Sequence, residues 1–235
     1  MSLNLEKKFI KFSNDFDFEG IFKPTHTSKI LINSSCKFSK RSQKILDLGC
    51  GGGIISACLF TINRNAEYYL SDLSEKAIKK AKKNLKNFKG NFTYKSGDCF
   101  NPWIGKTFDL IVNDVSGVSC KVAKISPWFK NVPIDKSEDG ISLLRQVVKD
   151  SKNFMHKKSI IVLPIISLSN IKKGKKIISN NLKIIKELKF DWPLPKSMIK
   201  KEKLLDKLKK KNLINFEKKY GIIICSTIII IAKKC

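Results

Sequence analysis

A chain of 235 residues is long enough for one domain with a substantial core and makes a second full domain a tight fit. Its formal charge of +27 ordinarily points to a polyanionic partner, but 44 of its 47 basic residues are lysine. Arg41, Arg64 and Arg145 alone carry the guanidinium that grips phosphate through two bonds, so AT-rich codon usage explains the balance as well as nucleic-acid binding does. Seven scattered cysteines without a CxxC pair, joined only by His26 and His156, argue against a metal site, and the most apolar run, Ile222 to Ala232, is far short of the roughly 20 residues that a membrane helix needs.

Met1 to Glu19 alternates charge with Phe instead of presenting an apolar leader; with the odd cysteine count this sets the expectation of a cytoplasmic protein. Lys44 to Leu48 reads as a buried strand running into the turn Asp47-Leu48-Gly49-Cys50-Gly51-Gly52-Gly53, and Ile54 to Phe60 as the helix that follows. Glu67 to Ser71 is the second predicted strand, ending at Asp72. Ser74 then opens a helix whose Ala77, Ile78, Ala81 and Leu85 fall on one face with lysines opposite.

Asn91 to Lys95 and Phe108 to Val112 are the third and fourth strands; the alternation of strand and helix implies a parallel sheet. Ser119 to Asp139, with Pro127 and Pro133 and no clean period, reads as a loop or lid at the carboxyl edge, and Gly140 to Phe154 as a helix. Ser159 to Ile165 (strand), Leu168 to Ser179 (helix) and Leu182 to Phe190 (strand) follow. Trp192-Pro193-Leu194-Pro195 breaks the pattern, and a lysine-rich helix inserted near 199–211 precedes a last apolar strand. The expectation is an α/β, Rossmann-like, doubly wound seven-stranded sheet, with residues 1–40 as an N-terminal cover and 41–235 as the main domain.

Glycines after a buried strand let backbone come close to a ligand, the role expected of Gly49, Gly51 and Gly53. The spacing DxGxGxG, with Asp47 ahead of the glycines, is not the GxGxxG that seats a pyrophosphate. Asp72, 25 residues after Asp47, stands where a carboxylate accepts both ribose hydroxyls, and Asp98 in Gly97-Asp98-Cys99 where one accepts from an adenine amine. Taken singly, a glycine cluster is also a plain turn, and Asp72 or Asp98 a helix cap. Together they arrive in the order a nucleoside needs.

DLGCGGG, YLSDLSEKAIKKAKKN, GDCFNPWIGKTFDLIVND and the later EDG resemble the small-domain class I S-adenosylmethionine-dependent methyltransferases, particularly the release-factor glutamine methyltransferases, over about Gly20 to Leu163. The resemblance implies the class I methyltransferase fold and S-adenosylmethionine as cofactor, held by Asp47, Gly49, Cys50, Gly51, Gly53, Asp72, Leu73, Asp98, Cys99 and Asn113. Gly20 to Thr27 is similar to that family's GVFxPxxxT segment, which implies Phe22, Pro24 and Thr27 on the substrate side.

The family's NPPY motif, which holds a planar nitrogen substrate, is replaced: aligning Phe108 to Val112 with FDLIV leaves Asn113-Asp114-Val115-Ser116-Gly117, an acid in place of Asn and no Pro-Pro-Tyr. Asp114 can still accept from an acceptor amine, Ser116 can add a hydroxyl, and Asn113 serves if the register shifts by one; the segment also reads as a turn that merely ends the strand. Trp128 and Phe129 beside Pro127 either stack on a substrate or anchor the lid, and Trp192 carries the same two readings. Three functions are weighed: N-methylation of a macromolecular acceptor, protein or RNA; methylation of a small molecule; and a catalytically inactive RNA-binding module on the same fold.

Overall fold

The computed structural model describes residues 3–115, 117–130 and 132–235. Two helices open the chain, α1 (Leu3–Asp15) and α2 (His26–Ser39), followed by β1 (Lys44–Leu48), α3 (Ile54–Phe60), β2 (Glu67–Asp72), α4 (Glu75–Leu85), β3 (Asn91–Ser96) and β4 (Phe108–Asn113). The second half contributes α5 (Cys120–Ile125), α6 (Ser142–Ser151), β5 (Met155–Ile166), α7 (Ile171–Ser179), β6 (Leu182–Pro193), α8 (Lys196–Ile199), α9 (Glu202–Lys210), β7 (Glu217–Lys219) and β8 (Ile222–Lys234).

The sheet runs β3-β2-β1-β4-β5-β8-β6, with the short β7 paired to β8. From β3 to β5 the strands are mutually parallel, while β8 is antiparallel to both β5 and β6. The central strands are apolar throughout because both faces are covered, and the pleat divides each between two cores. Ile45, Tyr68, Leu70, Leu110, Val112 and Val162 pack under α1 to α4, whereas Leu46, Leu48, Tyr69, Ile111, Ile161 and Leu163 pack under α6 and α7. A third apolar cluster at the carboxyl edge joins Val122 of α5 to Met198 of α8 and to Leu205 and Leu208 of α9, so the lysine-rich helix is held by a buried leucine face.

The stretch read from the sequence only as charge alternating with Phe forms α1: Leu5, Phe9 and Phe12 recur at helical spacing and, with Phe16 just beyond the helix, enter the same core as α3 and the sheet. At α2 the Thr25 hydroxyl accepts from Thr27 N and the Ser28 hydroxyl accepts from Thr25 N, a reciprocal cap that starts the helix. The expected seven strands become eight because β7 folds back on β8. The strand β6 also continues through Trp192 and Pro193, where a break was expected; β6 has the open edge of the sheet beside it, where a proline is tolerated. Within the expected lid, residues 120–125 form α5. His156, expected at a helix end, lies on β5 with Nε2 2.8 Å from Asp109 Oδ1. Among the described residues no helix is long and apolar enough to cross a membrane, and no cluster of His, Cys, Asp or Glu is arranged to hold a metal ion.

Candidate active site

The turn after β1 is built on left-handed backbone: φ is +75° at Gly49, +51° at Gly51 and +82° at Gly53. Gly49 N and Cys50 N both donate to Ser71 O at 2.9 Å, which ties the turn to the end of β2. A Cβ on Gly49 would sit 2.4 Å from Val115 Cγ2, so the turn is pressed against the segment leaving β4; at Gly51 it would meet only Phe22 O at 3.7 Å. Gly49→Ala is expected to cost about 1–3 kcal/mol, from left-handed strain and overpacking together, and to lower Tm by about 2–4 °C for each kcal/mol in a chain of this size. A Tm equal to wild type would show that the turn relaxes freely.

A cavity of about 210 Å³ opens over this turn. Gly49, Cys50, Gly51, Asp72, Leu73, Asp98, Cys99 and Asp114 all line it, together with Phe22 and Pro24. Their order follows from the sheet. Asp98 follows β3, Asp72 ends β2, the glycine turn follows β1 and Asp114 follows β4, so the residues are dealt side by side along the carboxyl edge. Three strand spacings of about 4.8 Å make that row roughly 14 Å long, the reach of a nucleoside with an extended substituent. Asp72 Oδ2 accepts from Gly51 N and Oδ1 from Ser74 N, both at 2.9 Å, which aims the carboxylate beside the turn. Asp98 Oδ2 accepts from Gln146 Nε2 at 3.0 Å, and Leu73 offers an exposed apolar side chain at the rim.

Three of the expected cofactor residues do not line this cavity. Asp47 is 1% exposed and turns beneath the loop, where its Oδ2 accepts from Ser56 N at 3.1 Å and Ser56 Oγ at 2.7 Å, satisfying an open donor in the first turn of α3. Gly53 faces inward, because a Cβ there would meet Leu85 Cδ1 at 3.0 Å. Asn113 is fully buried and folds back on the chain, with Oδ1 accepting from Val115 N at 3.3 Å. These residues shape the turn and the strand end from behind.

Burial pushes the Asp47 carboxyl up to about 7, with the Ser56 bonds working in the opposite direction and Asp72 adding a smaller upward push. Because the folded value lies above the unfolded one of about 3.9, ionising Asp47 opposes folding, and its contribution to stability is lost as pH rises from about 4 to about 7. Asp47→Ala is expected to cost about 1–2 kcal/mol through the lost cap, whereas Asp47→Asn keeps an acceptor for Ser56 and flattens the fall of Tm across that pH range. Thermal melts of the two variants at pH 5 and pH 8 check this; equal slopes in wild type and Asp47→Asn would contradict it.

Asp114 sits at the other end of the row. Its backbone N donates to Leu48 O at 3.0 Å, and its Oδ2 accepts from Ser28 Oγ at 2.7 Å. Burial, followed by the nearby Asp47 and Asp72 charges, pushes its carboxyl up to about 7, and the Ser28 bond pulls the other way. Ser116 lies outside the described residues. Ser28 was not singled out from the sequence: only the fold shows that the hydroxyl that caps α2 also reaches Asp114, 86 residues away.

The lid brings one further acid that the sequence did not single out. Asp135 lines the cavity and accepts from Leu143 N and Ser142 Oγ in the first turn of α6 and from Ser137 N, so one buried carboxylate ties the lid to the sheet's second layer. Phe129 meets Phe22 at a centroid distance of 5.3 Å. Beyond that pair lies a second cavity, of about 580 Å³, and it is here that Thr27 and Trp128 are placed, with Phe22 and Pro24 shared by both cavities. His26 lines the second cavity, and His156 lies at neither.

Residues 23–114 match the methyltransferase small domain family. The chain is 30% identical over 156 residues to a release factor glutamine methyltransferase of Buchnera aphidicola subsp. Acyrthosiphon pisum, covering 64% of this chain and 56% of that protein. It is 28% identical over 138 residues to a release factor glutamine methyltransferase of Bacillus anthracis, covering 54% of this chain and 48% of that protein. The chain thus spans about half the length of the curated relatives it matches. Its fold superposes on the ribosomal protein L11 methylase of Lactobacillus delbrueckii subsp. bulgaricus with a TM-score of 0.54 at 13% identity, over 90% of this chain and 81% of the other. Residues 23–114 are thus similar to the methyltransferase small domain, and the fold is shared with that methylase.

Proposed function

We propose that this chain transfers a methyl group from S-adenosylmethionine to a nitrogen of a macromolecular acceptor, protein or RNA. The observation that carries this is the row of Asp98, Asp72, glycine turn and Asp114 along one cavity, in the order that adenine, ribose, the sulfur-bearing chain and an acceptor require. The residues fit the cofactor: Gly51 leaves open the space that a Cβ would fill, Asp72 faces the position of a ribose, and Asp98 lies at the far end beside Cys99. Asp47, Gly53 and Asn113 support that cradle from outside it.

When bound, S-adenosylmethionine supplies a methyl on a positively charged sulfur, open to in-line displacement by a neutral nitrogen. Asp114 accepts a hydrogen bond from the acceptor N–H, which points the nitrogen lone pair away from the carboxylate, and it takes the proton as that nitrogen becomes positively charged. A carboxyl titrating near 7 is matched to that task, and Ser28 holds one of its oxygens in place. The curated relatives are named for protein acceptors, which favours the macromolecular reading over a small molecule.

The test is transfer of labelled methyl by the purified chain into an extract of cells lacking its gene, with the product divided between protease and nuclease digestion. Label released by either enzyme is the expected result. Label that stays in the low-molecular-weight fraction would replace the macromolecular acceptor by a small one, and no transfer by a chain that binds S-adenosylhomocysteine would favour a binding module.

A further inference from the structure

The second cavity lies largely outside the residues that the methyltransferase family matches: its walls include Trp128, Phe129 and Lys130 of the lid and Trp192 of β6, all beyond residue 114. We propose that this cavity receives the acceptor as a nucleotide, its base among the aromatic rings and its phosphate on Lys23 and Lys130; this rests on the methyltransferase reading above.

Four half-buried rings converge there. Phe22 meets Phe129, and Trp128 meets Trp192 edge to face at 5.7 Å and 74°. Trp192 is fixed in orientation because its Nε1 donates to Thr227 Oγ1 at 3.0 Å, so its ring is a formed wall before any ligand arrives. Bases stack on aromatic side chains with little regard to sequence, so two aromatic pairs lining one cavity suit a base. The cavity, about 580 Å³, has room for a nucleotide.

Charge points the same way. Among the described residues no Asp or Glu lines this cavity, while Lys23 and Lys130 are exposed at it and enter no ion pair. A cationic acceptor such as a lysine or arginine side chain would therefore meet only positive charge, whereas a phosphate finds two ammonium groups. The net charge of +27 draws polyanions toward the site in general; the two lysines at the cavity supply the local part. Phe22 and Phe129 form a wall common to the chamber and the cavity that holds Asp114, so a base seated among the rings lies next to that cavity.

The chemistry fits an unpaired nucleotide of an RNA strand or a free mononucleotide, and the two are separable. The full chain is titrated with adenosine monophosphate and with a single-stranded octaribonucleotide, each with and without S-adenosylhomocysteine, while tryptophan fluorescence is followed. Trp103 is fully buried away from the cavity, so quenching reports Trp128 and Trp192. Saturable quenching is expected. Octamer affinity about tenfold or more above the mononucleotide assigns the site to RNA, and equal affinities assign it to a free nucleotide.

Lys23→Glu with Lys130→Glu is expected to weaken binding about tenfold or more, with its melting temperature as the control for folding. Trp128→Leu removes part of the quench without reversing charge. No quench by either probe, or a quench indifferent to the double charge reversal, overturns the inference. If label is nevertheless transferred to a protein in the extract, the methyltransferase reading stands and only the nucleotide assignment falls. If the nucleotides bind but S-adenosylhomocysteine does not, the cavity assignment is supported and the transferase reading falls.

Discussion

Asp72→Ala is expected to weaken S-adenosylhomocysteine binding by about 100-fold, read by calorimetry. The carboxylate accepts from Gly51 N and Ser74 N and lines the cavity, so on the proposed reading its removal takes away the ribose acceptor and loosens the turn beside it. The net loss of one charge-assisted hydrogen bond, about 1.5–3 kcal/mol, brackets this figure, since about 1.4 kcal/mol is tenfold. Asp72→Asn, which retains one acceptor oxygen, belongs between the two. Wild-type affinity in the alanine variant would remove Asp72 from the cofactor site, and a melting curve for each variant separates lost binding from lost folding.

Asp114→Asn is expected to lower kcat by about 100-fold, with S-adenosylhomocysteine affinity unchanged, because the amide still accepts a hydrogen bond but takes no proton. On the proposed mechanism the wild-type rate is expected to climb as pH rises through about 7, the range to which burial and the Asp47 and Asp72 charges raise the carboxyl. Below that value the ionised fraction falls about tenfold per pH unit. Ser28→Ala removes the one bond that favours the charged form, so its rate profile is expected to shift to higher pH while its maximum stays near that of wild type. A flat profile, or full activity in Asp114→Asn, would assign the acceptor chemistry elsewhere.

The contrast between these acids and Asp47 explains what could be read from the chain itself. Asp72 and Asp98 follow strands whose apolar runs are visible, and a parallel sheet places strand ends in a row; their position at the cavity was legible because local pattern and topology agree. Asp47 lies on the same strand as the glycine turn, yet it points behind it, since the side chains of a strand alternate and Ser56 offers an unfilled backbone donor on that side. Spacing along the chain did not reveal which way the carboxylate turns.

The N-terminal helices were missed for a different reason. In α1 the lysines interleaved with Phe9 and Phe12 hide a helical stripe that becomes evident once it lies against α3. The second strand set shows the reverse: Trp192-Pro193 looks like a stop, but an edge strand has no neighbour demanding the proline's missing N–H.

By itself the sequence determined the α/β alternation, the glycine turn and the acids that follow the strands, because these rest on apolar periodicity and on backbone conformations that only certain residues adopt. Only the tertiary structure decided which of those acids face the cavity, that Ser28 reaches Asp114, and that Phe22, Phe129, Trp128 and Trp192 enclose a second chamber. The reason is physical: residues 64 to 107 positions apart become partners only when the sheet order and the packing of the lid have closed the loops between them, and no local preference along the chain encodes that closure.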